Sequence, residues 1–212
     1  RKSLENKGIK FDSHHSDTET LLLGLSCEGI DFLEKVEGQF SIFFFDNKIK
    51  KGYLIKDRHG QKPLYYFSDK DKILFSSNFL SLSSLINKKE INQNAVEKYL
   101  QIGVIPSPET IFKNIKKVIP GHAVEINFMD NFNKLIDIQY WNIEDFIDER
   151  EFSSEKFFDL FTKAVSKRTI SDVPVATFLS GGKDSTAIIK SLVDTNFKVC
   201  LLYTSPSPRD GL

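Results

Sequence analysis

The chain has 212 residues, enough for one large domain or two small ones. Its 29 Lys and Arg balance 29 Asp and Glu, so no basic field draws it to nucleic acid or an anionic membrane, and small polar substrates fit better. Apolar residues reach 40%, with 19 Phe, enough to form a core, yet no uninterrupted apolar run approaches the about 20 residues that cross a bilayer.

The first residues, RKSLENKGIKF, have the pattern of a helix ending at Gly8, and Arg1 is no initiator, so the sequence is expected to start inside a domain. No signal-peptide pattern is present. Next comes SDTETLLLGLSCEG, with Asp17 as the expected cap, Leu21, Leu22 and Leu25 on one face, and Gly29 as the stop. A short helix over IDFLEKVEG follows. The two cysteines, Cys27 and Cys200, form no CxxC pair and no extracellular framework, which predicts a reducing cytoplasm. Cys27, in a Leu-rich helix, is expected to act as a small buried hydrophobe.

The period then changes. GQFSIFFFD, GYLIKD, PLYYFS and KILFSS are short aromatic and β-branched runs separated by polar turns, and they predict an antiparallel meander. Phe43, Phe44 and Phe45 are apolar on both faces, which predicts a central strand covered on each side. A helix over NQNAVEKYLQIG, a loop with Pro106 and Pro108, and the segments IFKNIKKVIPGHAVEINF and YWNIEDF are expected to form the domain's outer edge and exit linker.

After Ser153, a cap candidate, Phe157, Leu160, Phe161, Ala164 and Val165 recur at helical spacing. The apolar run Val175–Leu179, the turn Ser180-Gly181-Gly182 and the helical pattern TAIIKSLV complete the order helix, strand, glycine loop, helix that opens a parallel α/β domain. Such a loop leaves the first N–H groups of its helix open, with the positive end of the macrodipole behind them, and so suits an anion. Gly181 and Gly182 let phosphate approach, Ser180 and Ser185 add hydroxyls, and Asp184 suits a divalent cation such as Mg²⁺ that neutralises the phosphates. The loop is neither a Walker A motif nor GxGxxG. A plain strand-to-helix turn is the alternative reading on local chemistry alone.

SDVPVATFLSGGKDSTAI resembles the SGGxDS pyrophosphate loop of ATP pyrophosphatases, and its SDVP lead-in is similar to that of glutamine-hydrolysing asparagine synthetases. The loop alone is shared with tRNA-modifying enzymes, GMP synthetases and NAD synthetases. Upstream, SDTETLL, LEKVEGQFSIFFFD, KDRHGQKPLYYF and IFKNIKKVIPGHAVEI resemble, in order, segments of the class II glutaminase domain of asparagine synthetases. The resemblance implies an α+β N-terminal-nucleophile (αββα) glutaminase domain over 1–141, truncated at its N-terminus. The start of an α/β Rossmann-like ATP-pyrophosphatase domain follows over 142–212.

By the same resemblance, Asp17 binds the α-amino group of glutamine, whereas the cap pattern taken by itself gives it only a helix-capping role. Leu179, Ser180, Gly181, Gly182, Asp184 and Ser185 surround ATP, Leu179 through its backbone, and Asp184 also ligates Mg²⁺. Lys183 departs from the family's hydrophobic residue at its position. The implied substrates are glutamine, aspartate and ATP, and the implied full-length parent is a homodimer. Its reaction would pass ammonia from glutamine to a β-aspartyl-AMP intermediate, giving asparagine, AMP and pyrophosphate. Relatives on the same plan that act on other carboxylates are the alternative, as is an inert fragment.

The family's nucleophile is a cysteine at the first position of the mature chain, whereas this sequence begins at Arg1, so no glutaminase activity is expected of the 212 residues alone. His14, His15, His59 and His122 match no metal or catalytic position. Residues 199–212 turn to Ser, Pro and Arg and are expected to be an appended non-native tail.

Overall fold

A computed structural model describes residues 1–130, 132, 134–147 and 151–203. The chain divides into two compact units, Arg1–Ile147 and Asp148–Leu212. Among the described residues no helix is long and apolar enough to cross a membrane.

The first unit begins with α1 (Lys2–Asn6) and α2 (Asp17–Glu28), the latter running into a 3-10 helix, Gly29–Lys35. Strands β1 (Ser41–Asp46) and β2 (Lys51–Lys56) form one hairpin, β3 (Tyr65–Ser68) and β4 (Ile73–Ser76) another. Helices α3 (Phe79–Ser84) and α4 (Gln93–Ile102) precede β5 (Ile115–Lys117), β6 (His122–Asn127) and β7 (Leu135–Gln139).

These strands build two sheets, ordered β1-β2-β6-β7 and β4-β3-β5. Side-chain alternation sorts each strand into two faces. Phe44, Tyr53, Ile55 and Ala123 leave the first sheet on one side and pack with Leu4, Leu25, Phe32 and Leu33 of the helices. From the opposite side, Leu54, Val124 and Ile126 pack with Leu64, Val118, Tyr66 and Ile73, between the sheets. The outer face of the second sheet sends Phe67 and Ile115 against Leu82, Ile86 and Phe79 on and beside α3. The layers therefore run helix, sheet, sheet, helix, as αββα requires. Leu33, Leu54, Ile55, Ile115 and Ile126 are fully buried, each worth about 1.5–3 kcal/mol of hydrophobic stabilisation.

Three expectations change. The four short strands are not one meander, since β2 continues to β6 and β3 to β5. The break lies at Asp57, whose buried carboxylate accepts N–H bonds from His59 (3.1 Å), Gln61 (2.9 Å) and Lys62 (2.9 Å) and so closes a tight turn out of the first sheet. Second, β1 is an edge strand among the described residues, while β6, from the expected outer edge, lies inside its sheet. Phe43 and Phe45 keep their apolar character because other rings cover them in part: Phe43 lies 4.6 Å from Phe75, and Phe45 lies 5.0 Å from Phe128. Third, Cys27 is exposed, since the buried side of α2 is centred on Gly24 and Leu25.

In the second unit, α5 (Ser154–Ser166) is capped by Ser153, whose Oγ accepts the Lys156 N–H at 3.3 Å. Strand β8 (Ala176–Leu179) leads through the glycine turn into α6 (Lys183–Asp194), and β9 (Cys200–Tyr203) pairs parallel with β8 from Ala176↔Cys200 to Leu179↔Tyr203. Four residues of the stretch expected to be an appended tail thus form the second parallel strand. Residues 204–212 of that stretch lie outside the described residues.

Candidate functional site

In the first unit a cavity of about 500 Å³ opens where the N-terminus of α2 meets the segment Lys35–Phe40, within the range of about 300–1,000 Å³ typical of small-molecule sites. Asp17, Thr20 and Leu21 of α2 line it together with Phe32, Val36, Gly38 and Gln39, and the cationic Arg1 and Lys35 also reach it.

Ser16, not Asp17, caps α2: its Oγ accepts the Glu19 N–H at 3.1 Å. Asp17 is the first helical residue, where a carboxylate is favoured by the helix dipole. Its Oδ1 accepts the Thr18 N–H at 2.6 Å and meets the Thr18 hydroxyl at 3.3 Å. The carboxylate is exposed at the cavity and has no cationic partner among the described residues. An ammonium group entering the cavity would meet a charge already in place.

The loop before α2 is tied down by Glu19. Its carboxylate accepts the backbone N–H groups of Asp12 (2.6 Å) and Ser13 (3.0 Å) and the Ser13 hydroxyl. The Ser13 hydroxyl first, then the Asp12 N–H, hold its pKa below the ordinary carboxylate value. Arg1 adds to this brace through Nη2 to the Ser13 carbonyl and by lying 4.2 Å over the Phe11 ring. On the far side, Lys35 and Lys7 both pair with Glu28 and lower its pKa, which spends the Lys35 charge locally.

The second unit holds the glycine loop. Leu179 ends β8, Gly181 turns at φ +76° with open space where a Cβ would sit, and Gly182 precedes α6 without a side chain to cap it. The Ser180 and Ser185 hydroxyls lie 3.1 Å apart across the turn. Ser185 and Thr186 donate their hydroxyls to the Gly182 carbonyl at 3.0 and 2.9 Å. Lys183 and Asp184, the first two helical residues, are exposed, and neither side chain forms a hydrogen bond or ion pair among the described residues. The open helix start, the two hydroxyls and the Asp184 carboxylate lie within one turn between β8 and α6.

The wall formed by residues 36–40 departs from expectation, because VEG was expected to close the helix over IDFLEKVEG, whereas the 3-10 helix ends at Lys35. Gly38 within it was the only local signal. The histidines carry no common site: His122 bonds Asp137 at 2.7 Å, and His59 lies edge-on to Trp141 at 5.2 Å. Among the described residues no group of three or more His, Cys, Asp or Glu side chains could hold a metal ion.

The model of the glutamine amidotransferase domain matches residues 1–141, and that of asparagine synthase matches residues 156–197. A Methanocaldococcus jannaschii protein assigned as a glutamine-hydrolysing asparagine synthetase is 35% identical over 181 residues, covering 82% of this chain and 34% of that protein. Glutamine-hydrolysing asparagine synthetase 3 of Bacillus subtilis is 33% identical over 197 residues, covering 89% of this chain and 30% of that protein. A solved glutamine phosphoribosylpyrophosphate amidotransferase from B. subtilis aligns at 16% identity and a TM-score of 0.43, covering 100% of this chain and 47% of that one. The chain spans about a third of the length of the curated relatives it matches. With a family model over residues 1–141 that agrees with the four-layer unit, and a second over the strand, loop and helix of the other unit, the chain belongs to the glutamine amidotransferase family in the form found in glutamine-hydrolysing asparagine synthetases.

Proposed function

We propose that the first unit binds L-glutamine and that the second begins the Mg·ATP site of an asparagine synthetase. The observation that carries this reading is the Asp17 carboxylate, held at the cavity rim by Thr18 alone and unpaired with any cation among the described residues. A carboxylate placed there complements the α-ammonium of an amino acid by a charge-assisted contact. Thr20 and Gln39 supply polar groups along the cavity, and Leu21, Phe32 and Val36 supply apolar walls for the side-chain methylenes.

In the second unit, the open N–H groups at the start of α6 and the Ser180 and Ser185 hydroxyls receive the phosphates of ATP. Leu179 contributes backbone, and Gly181 and Gly182 leave room for the oxygens. A free carboxylate beside that phosphate cradle fits one ligand position of a phosphate-bound Mg²⁺, and this is the role of Asp184. When bound, the ion offsets charge on the leaving pyrophosphate. The reaction of the whole protein is the conversion of aspartate, through β-aspartyl-AMP and glutamine-derived ammonia, to asparagine, AMP and pyrophosphate. The site stabilises developing charge by preorganised donors, the contribution this chemistry needs most.

Complementation tests the reading. The whole gene carrying this sequence should restore growth of an asparagine-auxotrophic strain without asparagine. Growth only on added asparagine, with the protein expressed, would contradict it.

A further inference from the structure

We infer that Asp57 and Arg58 are positioning residues for the cavity of the first unit: consecutive residues of one turn grip both ends of its wall and tie that wall to Trp141. The inference rests on reading the cavity as a glutamine site, and it deepens that reading by naming what sets the cavity's shape.

The wall is the segment Lys35–Phe40, which has no regular structure beyond Lys35. At its far end the Asp57 N–H donates to the Phe40 carbonyl at 3.0 Å. At its near end Arg58 Nη2 donates to the Glu34 carbonyl at 2.7 Å. One turn therefore fixes the span between the two anchors.

The turn itself is stiff. Asp57 is 1% exposed, and its carboxylate is satisfied by three backbone N–H groups, without which a buried charge would be costly. Its carbonyl accepts the N–H of Gly60 and of Gly121, each at 3.0 Å. The Gly121 carbonyl in turn accepts the N–H of Tyr140 at 3.0 Å and of Trp141 at 3.1 Å. A continuous backbone chain thus runs from Phe40 through Asp57 and Gly121 to Trp141. The side chains repeat the link, since the Tyr140 hydroxyl donates to the Lys56 carbonyl at 2.7 Å and the Arg58 guanidinium carbon lies 5.9 Å over the Trp141 ring.

Arg58 Nε is buried without a hydrogen-bond partner. A donor left in that state opposes folding. Its retention is explained by the guanidinium being oriented toward Glu34 and Trp141 rather than toward its own best solvation. Trp141 is the sole tryptophan of the chain, so its emission reports on this linkage directly.

The experiment compares the 212-residue chain with Arg58→Met, which keeps the apolar stem, and Arg58→Lys, which restores a cation. Hydrogen exchange of the amides in 36–40 should be about tenfold faster in Arg58→Met, the factor that corresponds to one lost hydrogen bond of this kind, and intermediate in Arg58→Lys. Amides of β2 and β6 should be unchanged. L-Glutamine should shift Trp141 emission in the original chain, with an affinity about tenfold weaker and the shift lost in Arg58→Met. Wild-type exchange rates at 36–40 in Arg58→Met would overturn the inference, whether or not glutamine binds. Absence of any glutamine response in the original chain, with the exchange difference present, would instead overturn the glutamine reading and leave the positioning role standing.

Discussion

Ser16 Oγ accepts the Glu19 N–H at 3.1 Å, so capping of α2 belongs to Ser16 and the neighbouring Asp17 is left for another task. The two roles separate by mutation. Ser16→Ala should cost about 1 kcal/mol of unfolding free energy, the usual value of a lost N-cap. Asp17→Asn, which leaves the cap intact, should change stability by less than about 0.5 kcal/mol. Denaturant unfolding of both variants checks the pair. A larger loss in Asp17→Asn than in Ser16→Ala would return the capping role to Asp17.

Acid should loosen the loop before α2. Glu19 has its pKa lowered from 4.5, first by the Ser13 hydroxyl and then by the Asp12 N–H. A carboxyl depressed in the folded state stabilises above its unfolded pKa, and the contribution is lost as pH falls through the folded value. Hydrogen exchange at Asp12 and Ser13, corrected for its intrinsic pH dependence, should therefore gain protection with rising pH through the region below 4.5 and level off above it. In Glu19→Gln this dependence should be absent.

Two glycines with similar backbone angles should respond differently to alanine. Gly103 (φ +76°) ends α4 with nothing within 4 Å of an added Cβ, so Gly103→Ala should cost only the left-handed conformation, about 1–2 kcal/mol. Gly121 (φ +72°) would place a Cβ 2.6 Å from the Trp141 carbonyl oxygen, so Gly121→Ala adds a backbone clash and should cost about 3 kcal/mol or more. Equal unfolding midpoints for the two variants would contradict the tight approach of Gly121 to Trp141.

The glycine loop makes a separate claim. Asp184→Ala should weaken Mg·ATP binding about tenfold or more while leaving the helix content of α6 intact, because Asp184 makes no bond that holds the fold. Calorimetric titration checks this, and equal affinity in the two proteins would remove Asp184 from the site.

Local patterns were legible in the sequence because they are enforced locally. Ser153 and the helical stripe from Phe157 specify α5, and Ser180 to Ser185 specify the strand-to-helix turn between β8 and α6. The pairing of strands was not legible. Lys51 lies opposite Asn127 in the first sheet, and no short-range signal links positions so far apart. The run Phe43–Phe45 reports apolar contact on both faces, which a central strand and an edge strand flanked by Phe75 and Phe128 satisfy equally well. Ser16 and Asp17 are both good cap residues, and only the backbone angles of the folded chain decide between them. The cavity wall is not legible for a related reason: residues 36–40 are anchored by Asp57 and Arg58, about twenty residues away, as well as by the packing of Val36 and Phe40 on the core.

The most direct measurement is calorimetric titration of L-glutamine into the 212-residue chain and its Asp17→Asn variant. Asparagine keeps the shape of the side chain and removes its charge. The original chain should show saturable one-site binding, and Asp17→Asn should bind at least about tenfold more weakly, since a charge-assisted contact becomes a neutral one. Equal affinities in the two proteins, or no binding by the original chain, would contradict a glutamine site at Asp17.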